Sequence, residues 1–341
     1  MVDRPTIADL AKKAGVSVAT VDRVLNRRLP VHGDTARRVV EAAEAIGYHA
    51  TGLLKRRLTE TPHRRFGFLL QKHDAFYQQL GKELAAAAKS STFVEGRPVV
   101  EFMEELVPSI IADKMLHMAQ KVDALAVVAM DHPIVNEAVE KITASGKPVF
   151  ALLSSITSPA CNGLFGADSR KCGRIAGWTI SRLAKKPGKI GILVGSHRYL
   201  NQELSEISFR TYMREHAPEF QLLEPIINLD DERIAYEAVT EMVSSNPDLV
   251  GIYVSGGGQE GLIRALRECD AASKPIAVCN ELTAAIRSAL IDGVVDLALG
   301  TPIAALSRRV VDVMAKATLA SELPHLPSLM LPPDIFMAEN I

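Results

Sequence analysis

Between Thr6 and Gly47, apolar positions recur three and four residues apart in three short runs. Ile7, Leu10, Ala11 and Ala14 share one helical face, Val21, Val24 and Leu25 a second, and Val39, Ala43 and Ile46 a third. Punctuation frames each run. Thr6 followed by Asp9 is a capping-box start, Gly15 permits a tight turn, and Ser17 is placed to cap a helix from Val18 to Asn26. Asp34 is placed to cap the third helix, which Gly47 ends. From Phe66 the pattern changes. The apolar runs FGFLL, PVVEFM, ALAVVAM and PVFALL alternate with amphipathic helical segments and read as four parallel strands. GLFGAD then leads into a helix around Arg174 to Leu183, and GKIGILVG, LLEPII, LVGIYVS, PIAVCN and VDLALG continue the alternation. So many βα units imply parallel sheets covered by helices on both faces, and their combined length exceeds one core, so two lobes are expected.

Composition narrows the class. Of 341 residues, 48% are hydrophobic and 23% charged, the balance of a globular protein. The start MVDRPTIADLAKKAGV lacks the apolar run of a secretory signal, and no stretch is long and apolar enough for a membrane span. The expected compartment is therefore the cytoplasm, with no membrane partner. Cys161, Cys172, Cys269 and Cys279 stand far apart without a C-x-x-C pair, and no H-E-x-x-H occurs, so neither a metal site nor a cofactor is expected. The net charge of −1 hides a division: residues 1–65 carry a net +6 and the rest −7. A basic head on an acidic body points to a polyanion at the head alone.

Two helices joined through AGVS, with a third closing a small core, match a helix-turn-helix. The second helix would enter the major groove at its N-terminal end. There Val18 and Ala19 suit a thymine methyl, Thr20 a phosphate or base, and Arg23 the O6 and N7 of guanine. Arg27, Arg28, Arg37 and Arg38 suit phosphates, which fix position without reading sequence. Thr6, Ser17 and Asn26 complete the polar set expected to face DNA.

The run TIADLAKKAGVSVATVDRVLN, with a third helix ending in AIGY, resembles the head of the lactose-repressor (LacI) family. Asp22 stands where the family commonly has serine, and is expected either to accept from a cytosine amino group or to pair with a basic neighbour. By resemblance, HATGLLKRRLTETPHRR is a hinge that orders on DNA and pushes a leucine into the minor groove. Leu53, Leu54 and Leu58 are the available wedges, with Lys55, Arg56 and Arg57 for phosphates. The family's wedge position falls on Arg57, and Leu58, one residue later, is taken as the wedge.

The body resembles the periplasmic-binding-protein-like (type I) core that accompanies this head, through LVGIYVSGGGQEGLIRAL and VCNELTAAIRSALIDGVVDLALG. The expected fold is thus α/β, a three-helix head plus a two-lobed body of parallel doubly wound sheets. The expected division is 1–49 for the head, 50–63 for the hinge and 64–341 for the body. One lobe would hold about 64–161 and 290–320, the other about 162–289 and 321–341.

Open α/β sheets bind ligands beyond the C-terminal ends of their strands. The candidate loops span Gln71 to Tyr77, Met130 to His132, Ser154-Ser155, Ser196 to Ser205, Ser255 to Gly258, Asn280-Glu281 and Gly300 to Pro302. Their hydroxyls, amides, few charges and paired aromatics suit a sugar or polyol. The resemblance assigns stacking to Phe76 and Tyr77 and hydroxyl recognition to Gly256, Gly257, Asn280 and Glu281. Asp131, Ser154, Ser155, Ser205 and Thr301 complete the expected set, although Ser154-Ser155 replace a frequent Asp-Arg and Ser205 an arginine. Gly300-Thr301 fall where a glutamine is frequent. A polyol other than a pentose, or something less polar, is expected.

Gly256, Gly258 and Gly261 also spell G-x-G-x-x-G between a strand and a helix, with Glu281 twenty residues on. Such a loop could cradle a pyrophosphate, which keeps a nucleotide-dependent enzyme or NAD-binding regulator as the alternative. No catalytic Ser-His-Asp or Cys-His set converges on it, and no catalytic residue is expected. The preferred expectation is a homodimeric repressor on a pseudo-palindromic operator, switched when lobe closure on a small molecule changes operator affinity. The stripe Leu80, Leu84 and Ala87 is a candidate dimer face or a core face.

Overall fold

Thr6 starts helix α1 (Ile7–Ala14) through a closed capping box: Asp9 N–H donates to Thr6 Oγ1 at 3.3 Å, and Thr6 N–H donates to an Asp9 carboxylate oxygen at 2.9 Å. Hydrogen bonds from Thr6 hold the Asp9 carboxyl below its ordinary range. Gly15, at φ +64°, ends α1 in the left-handed region, and α2 (Val18–Asn26) and α3 (Gly33–Ala45) follow. The structure, a computed structural model, describes residues 5–26, 31, 33–52, 54, 62–71, 75–270, 274–320 and 328–341. Leu10, Ala14, Val21, Val39, Ala43 and Tyr48 form the centre of the head core.

Three details of the head differ from expectation. Asp34 lies inside the first turn of α3 rather than before it, where its charge faces the positive end of the helix dipole. Arg38 has a structural role beside the phosphate contact expected of it: one guanidinium nitrogen donates to Ala14 O at 2.7 Å and Gly15 O at 3.3 Å, closing the C-terminus of α1. The head also runs past residue 49. Thr51 Oγ1 donates to Ala43 O and Tyr48 O, and Leu54 is fully buried in the head core.

Beyond residue 62 the chain builds two sheets. The first contains β1 (His63–Gln71), β2 (Glu95–Met103), β3 (Ala124–Val127), β4 (Val149–Leu152), β5 (Leu164–Ala167) and β12 (Leu329–Leu331), all parallel, in the order β12-β5-β4-β3-β1-β2. The second contains β6 (Lys189–Val194), β7 (Gln221–Leu222), β8 (Ile226–Ile227), β9 (Leu249–Val254), β10 (Ile276–Asn280), β11 (Leu297–Gly300) and β13 (Asp334–Phe336). Its order is β13-β11-β10-β9-β6-β7, with β8 also on β6 and, among the described residues, only β13 antiparallel.

Each sheet carries helices on both faces. On the first are α4 (Ala75–Lys89), α5 (Pro108–Ala119), α6 (Pro133–Ala144) and α12 (Ile303–Leu319). On the second are α7 (Ser169–Leu183), α8 (Leu200–His216), α9 (Glu232–Ser245), α10 (Gln259–Arg267) and α11 (Ala284–Ile291). Strands buried on both faces explain the unbroken apolar runs: β3 and β4 have no exposed position.

The lobe boundaries shift from those expected. GLFGAD supplies strand β5 of the first sheet, so the chain leaves that lobe after Ala167, at Asp168, which caps α7 through the N–H groups of Arg170 and Lys171. β11 pairs with β10, so the return begins at Thr301 rather than near residue 290. The tail divides, β12 joining the first sheet and β13 the second. Leu80, Leu84 and Ala87 are buried in the same core as α12, so that stripe is core and not a dimer face.

Candidate functional site

The start of α2 is the candidate DNA-reading surface. Ser17 Oγ accepts from Thr20 N–H at 3.1 Å and lies 2.8 Å from Thr20 Oγ1, so part of the capacity of both hydroxyls fixes the helix start. Val18 is 47% exposed at this end of the helix, free to make apolar contact. Ala19, Arg23 and Asn26 are exposed alongside it. The Asp22 carboxylate accepts from the Asn26 amide at 2.6 Å, and this bond holds Asn26 on the same face. Arg37 is exposed on α3. Thr6 commits its hydroxyl to the cap of α1. Arg27, Arg28, Lys55, Arg57 and Leu58, like Leu53 and Arg56, lie outside the described residues. Leu54 is corrected: with its side chain in the head core it is not available as a wedge.

In the body, the loops after the strands of both sheets enclose a cavity of about 540 Å³. Phe76, Tyr77, Ser154, Ser205, Gly256, Gly257, Asn280, Glu281 and Thr301 all line it, from both lobes. Phe76 and Tyr77 stand edge to face at the start of α4, ring centres 5.1 Å apart, and Tyr77 OH donates to Gln71 Oε1 at 3.1 Å. Asn280 is held at both ends: Tyr253 OH donates to its Oδ1, and its Nδ2 donates to Ser255 O. Ser205 Oγ donates to Ser169 O at 3.1 Å.

Two expected residues are absent from the wall. Asp131 faces its own lobe, accepting from the N–H and hydroxyl of Thr157, at 2.8 and 2.9 Å for one carboxylate oxygen. Ser155 is half-buried outside the cavity lining. Gln71, Tyr199, Asn201 and Gln202 do line it, within loops that strand order already marked, although no local pattern singles them out. Asp230 and Glu104 follow β8 and β2, in loops outside the candidate set. The signal for Asp230 was there in part: it ends the run IINLD after a strand interrupted at Pro225.

Backbone strain gathers on this wall. Among the described residues, the non-glycine positions with positive φ are Leu153, Leu229, Asp230 and Glu281, and all four line the cavity. Each such position costs on the order of 1–3 kcal/mol, and strain of this kind clusters where ligands bind. Glu281 accepts from Thr301 N–H at 2.9 Å and Thr301 Oγ1 at 2.6 Å. Burial nevertheless pushes its carboxyl up to about 7, the Thr301 bonds offsetting only part of the effect. Cys172 also lines the cavity, its thiol pushed up to about 12 chiefly by burial, which leaves it an unreactive wall atom.

The glycine-rich loop does not have the form of a phosphate cradle. Asp230 Oδ1 already accepts from Gly257 N–H at 2.5 Å, while Asn228 Nδ2 donates to Gly257 O and Gln259 Nε2 to Gly256 O. A Cβ at Gly256 or Gly257 would lie within 2.8–2.9 Å of that carboxylate oxygen. At Gly261 it would lie 2.1 Å from Glu232 O, so this third glycine serves the packing of α9 on α10. A carboxylate from the same chain sits where a pyrophosphate would need to be.

Known proteins divide along the same line. The family model "Periplasmic binding protein domain" matches residues 66–321, and "Bacterial regulatory proteins, lacI family" matches residues 6–51. The HTH-type transcriptional regulator GalS of Salmonella typhimurium is 36% identical over 84 residues, 25% of each chain. The HTH-type transcriptional regulator GalR of Streptococcus thermophilus is 53% identical over 45 residues, 13% of this chain and 14% of its own. These alignments span a quarter or less of the relatives' length. Among solved structures, an Agrobacterium vitis solute-binding protein bound with alpha-D-tagatopyranose superposes with TM-score 0.72 at 19% identity, covering 81% of this chain and 95% of its own. A Burkholderia graminis solute-binding protein in complex with D-arabinose gives 0.74 at 15% identity, covering 82% and 97%. These structures share the fold. Among the described residues, no helix is long and apolar enough to cross a membrane.

Proposed function

Because the chain belongs to the family of periplasmic binding protein domains and carries a LacI-family head, we propose that it is a sequence-specific DNA-binding regulator whose operator affinity a small polar effector controls. The observation that carries the reading is the union in one chain of an exposed Val18, Ala19, Arg23 face with a two-lobed cleft whose strained wall is built from both sheets. The cleft binds and does not transform: the effector site is Phe76, Tyr77, Ser154, Ser205, Gly256, Gly257, Asn280, Glu281 and Thr301, with Gln71, Tyr199, Asn201, Gln202 and Asp230 added. The protein acts in the cytoplasm as a homodimeric repressor, two heads meeting two half-sites of a pseudo-palindrome. The nucleotide alternative is disfavoured by the Asp230 carboxylate bound to Gly257 N–H.

Closure supplies the switch. The chain crosses between the sheets after Ala167, at Thr301-Pro302 and between β12 and β13, and Arg198 O already accepts from Asp131 N–H across the lobes at 3.4 Å. A ligand that favours the closed lobes shifts the geometry of the paired heads, and reciprocity requires operator DNA to alter ligand affinity by the same factor.

Binding to genomic fragments, followed by footprinting, should find two half-sites spaced by about one helical turn. Arg23→Ala should cost about 10–150-fold in discrimination between the operator and a site changed at one guanine. Arg37→Ala should weaken both equally and flatten the salt dependence. Binding that ignores sequence in the native protein would sink the reading.

A further inference from the structure

We infer that Tyr199 is a clasp between the lobes: its ring, carried on a loop of the second lobe, is seated in the core of the first and must leave it before the cleft opens. What this means for an effector, which then enters only after the clasp lets go, rests on the effector reading above; the clasp itself does not.

Tyr199 follows β6 of the second sheet and stands immediately before α8. Its side chain nevertheless belongs to the apolar cluster of the first lobe. The other buried members of that cluster, among them Leu69, Met103, Met130 and Ile156, all lie between Leu69 and Cys161 in the chain. At 6% exposed the residue is buried as a core side chain is, although it also lines the cleft. Beside it, Arg198 O accepts from Asp131 N–H of the first lobe at 3.4 Å. An aromatic side chain buries about 150–250 Å², so parting the lobes here returns a large apolar surface to water.

A ring on a slack loop would stay behind while the lobes separate, but this loop is tied to its own lobe. Ser196 N–H donates to Gln202 Oε1 at 2.9 Å, Arg198 N–H to Ser196 Oγ at 3.2 Å and Tyr199 N–H to Ser196 O at 3.1 Å. His197 Nε2 lies 2.9 Å from the carboxylate of Glu206, a buried residue of α8 that also accepts from Arg210 Nε at 2.7 Å. The first-lobe side is fixed as well, since the Asp131 carboxylate accepts from the N–H and hydroxyl of Thr157. The ring therefore moves with α8 and the second lobe.

The hold is apolar. The Tyr199 hydroxyl is buried facing Gln71 without a bond of good geometry, and Gln71 Oε1 accepts instead from Tyr77 OH at 3.1 Å. A buried hydroxyl left unmade detracts from burial, so the ring and not its polar tip keeps the lobes together.

The chain's own cysteines report the test, a time course of iodoacetamide labelling on the full-length protein without ligand, each thiol followed by peptide mass spectrometry. Cys172 is buried on the cleft wall, Cys161 in the first-lobe core and Cys279 in the second-lobe core, while the partly exposed Cys269 serves as the reference. Tyr199→Ala should speed the labelling of Cys172 at least about tenfold, while Cys161 and Cys279 keep their native rates. Tyr199→Phe, which keeps the ring, should label Cys172 no faster than the native chain. An unchanged Cys172 rate in the alanine variant overturns the clasp. So does faster labelling of Cys161 or Cys279 in step with Cys172, the mark of a ring that only supports the fold of a lobe. Faster labelling of Cys172 in the phenylalanine variant also overturns it, because the hydroxyl would then be the hold. Each of these outcomes leaves the effector reading standing, since no ligand enters the experiment.

Discussion

Leu54→Ala is expected to unfold the head of the full-length protein while leaving both lobes of the body intact. The side chain is fully buried in the core that holds Leu10, Val39, Ala43 and Tyr48. Truncating a buried leucine costs about 2–5 kcal/mol through lost transfer energy and a residual cavity. A head of about fifty residues has a small core and little stability to lose. Hydrogen exchange should show α1, α2 and α3 losing protection together, with the β1–β5 strands unchanged. Operator affinity should fall for specific and non-specific DNA alike, because the surface that carries both disappears. If Leu54 instead served DNA as a minor-groove wedge, protection in the free protein would be unaltered and only the DNA bend would change. That outcome would return Leu54 to the role first expected of the hinge leucines.

The same residue shows where sequence stops being informative. The three helices of the head were legible because each carries its own start, stop and apolar stripe, and those are local properties. Thr6, Ser17 and Gly15 act as their spacing implies. Leu54 and Arg38 depend on partners far along the chain, and nothing in a local window distinguishes a leucine that closes a core from one that enters DNA. Arg38 looked like any exposed arginine until the carbonyls of Ala14 and Gly15 came within reach.

The body repeats this lesson on a larger scale. Alternating βα units dictate a parallel sheet, and the C-terminal ends of strands mark the cleft, so Phe76, Asn280 and Glu281 could be placed from order alone. The division into lobes could not, since β5 and β12 reveal their sheet only by pairing. Asp230 escaped notice because its role depends on a glycine loop 27 positions later. That loop had the spacing of a nucleotide fingerprint, and only the carboxylate seated on Gly257 separates the two readings.

Glu281→Gln is expected to flatten the pH dependence of folding stability between about 4.5 and about 7, and to stabilise the protein above that window. Burial raises this carboxyl from an ordinary value of 4.5 to about 7. The folded chain therefore holds the proton more tightly than the unfolded chain. Stability from this group is fully present below about 4.5, falls as pH rises through the window, and is lost above about 7. The full swing is at most about 3.5 kcal/mol, since each pH unit across the window is worth about 1.4 kcal/mol. Glutamine cannot ionise, so the variant should show no such slope from this position. It keeps one oxygen for Thr301, whose N–H and hydroxyl both donate to Glu281 where the chain crosses from β11 to α12. Urea unfolding at closely spaced pH values would measure both curves. Parallel curves for the native chain and the Glu281→Gln variant would show that the wall around Glu281 is wetter than its burial implies. A difference in slope confined to the predicted window, with the variant the more stable above it, would tie the protonation of this single cleft residue to the stability of the wall it shares with Thr301.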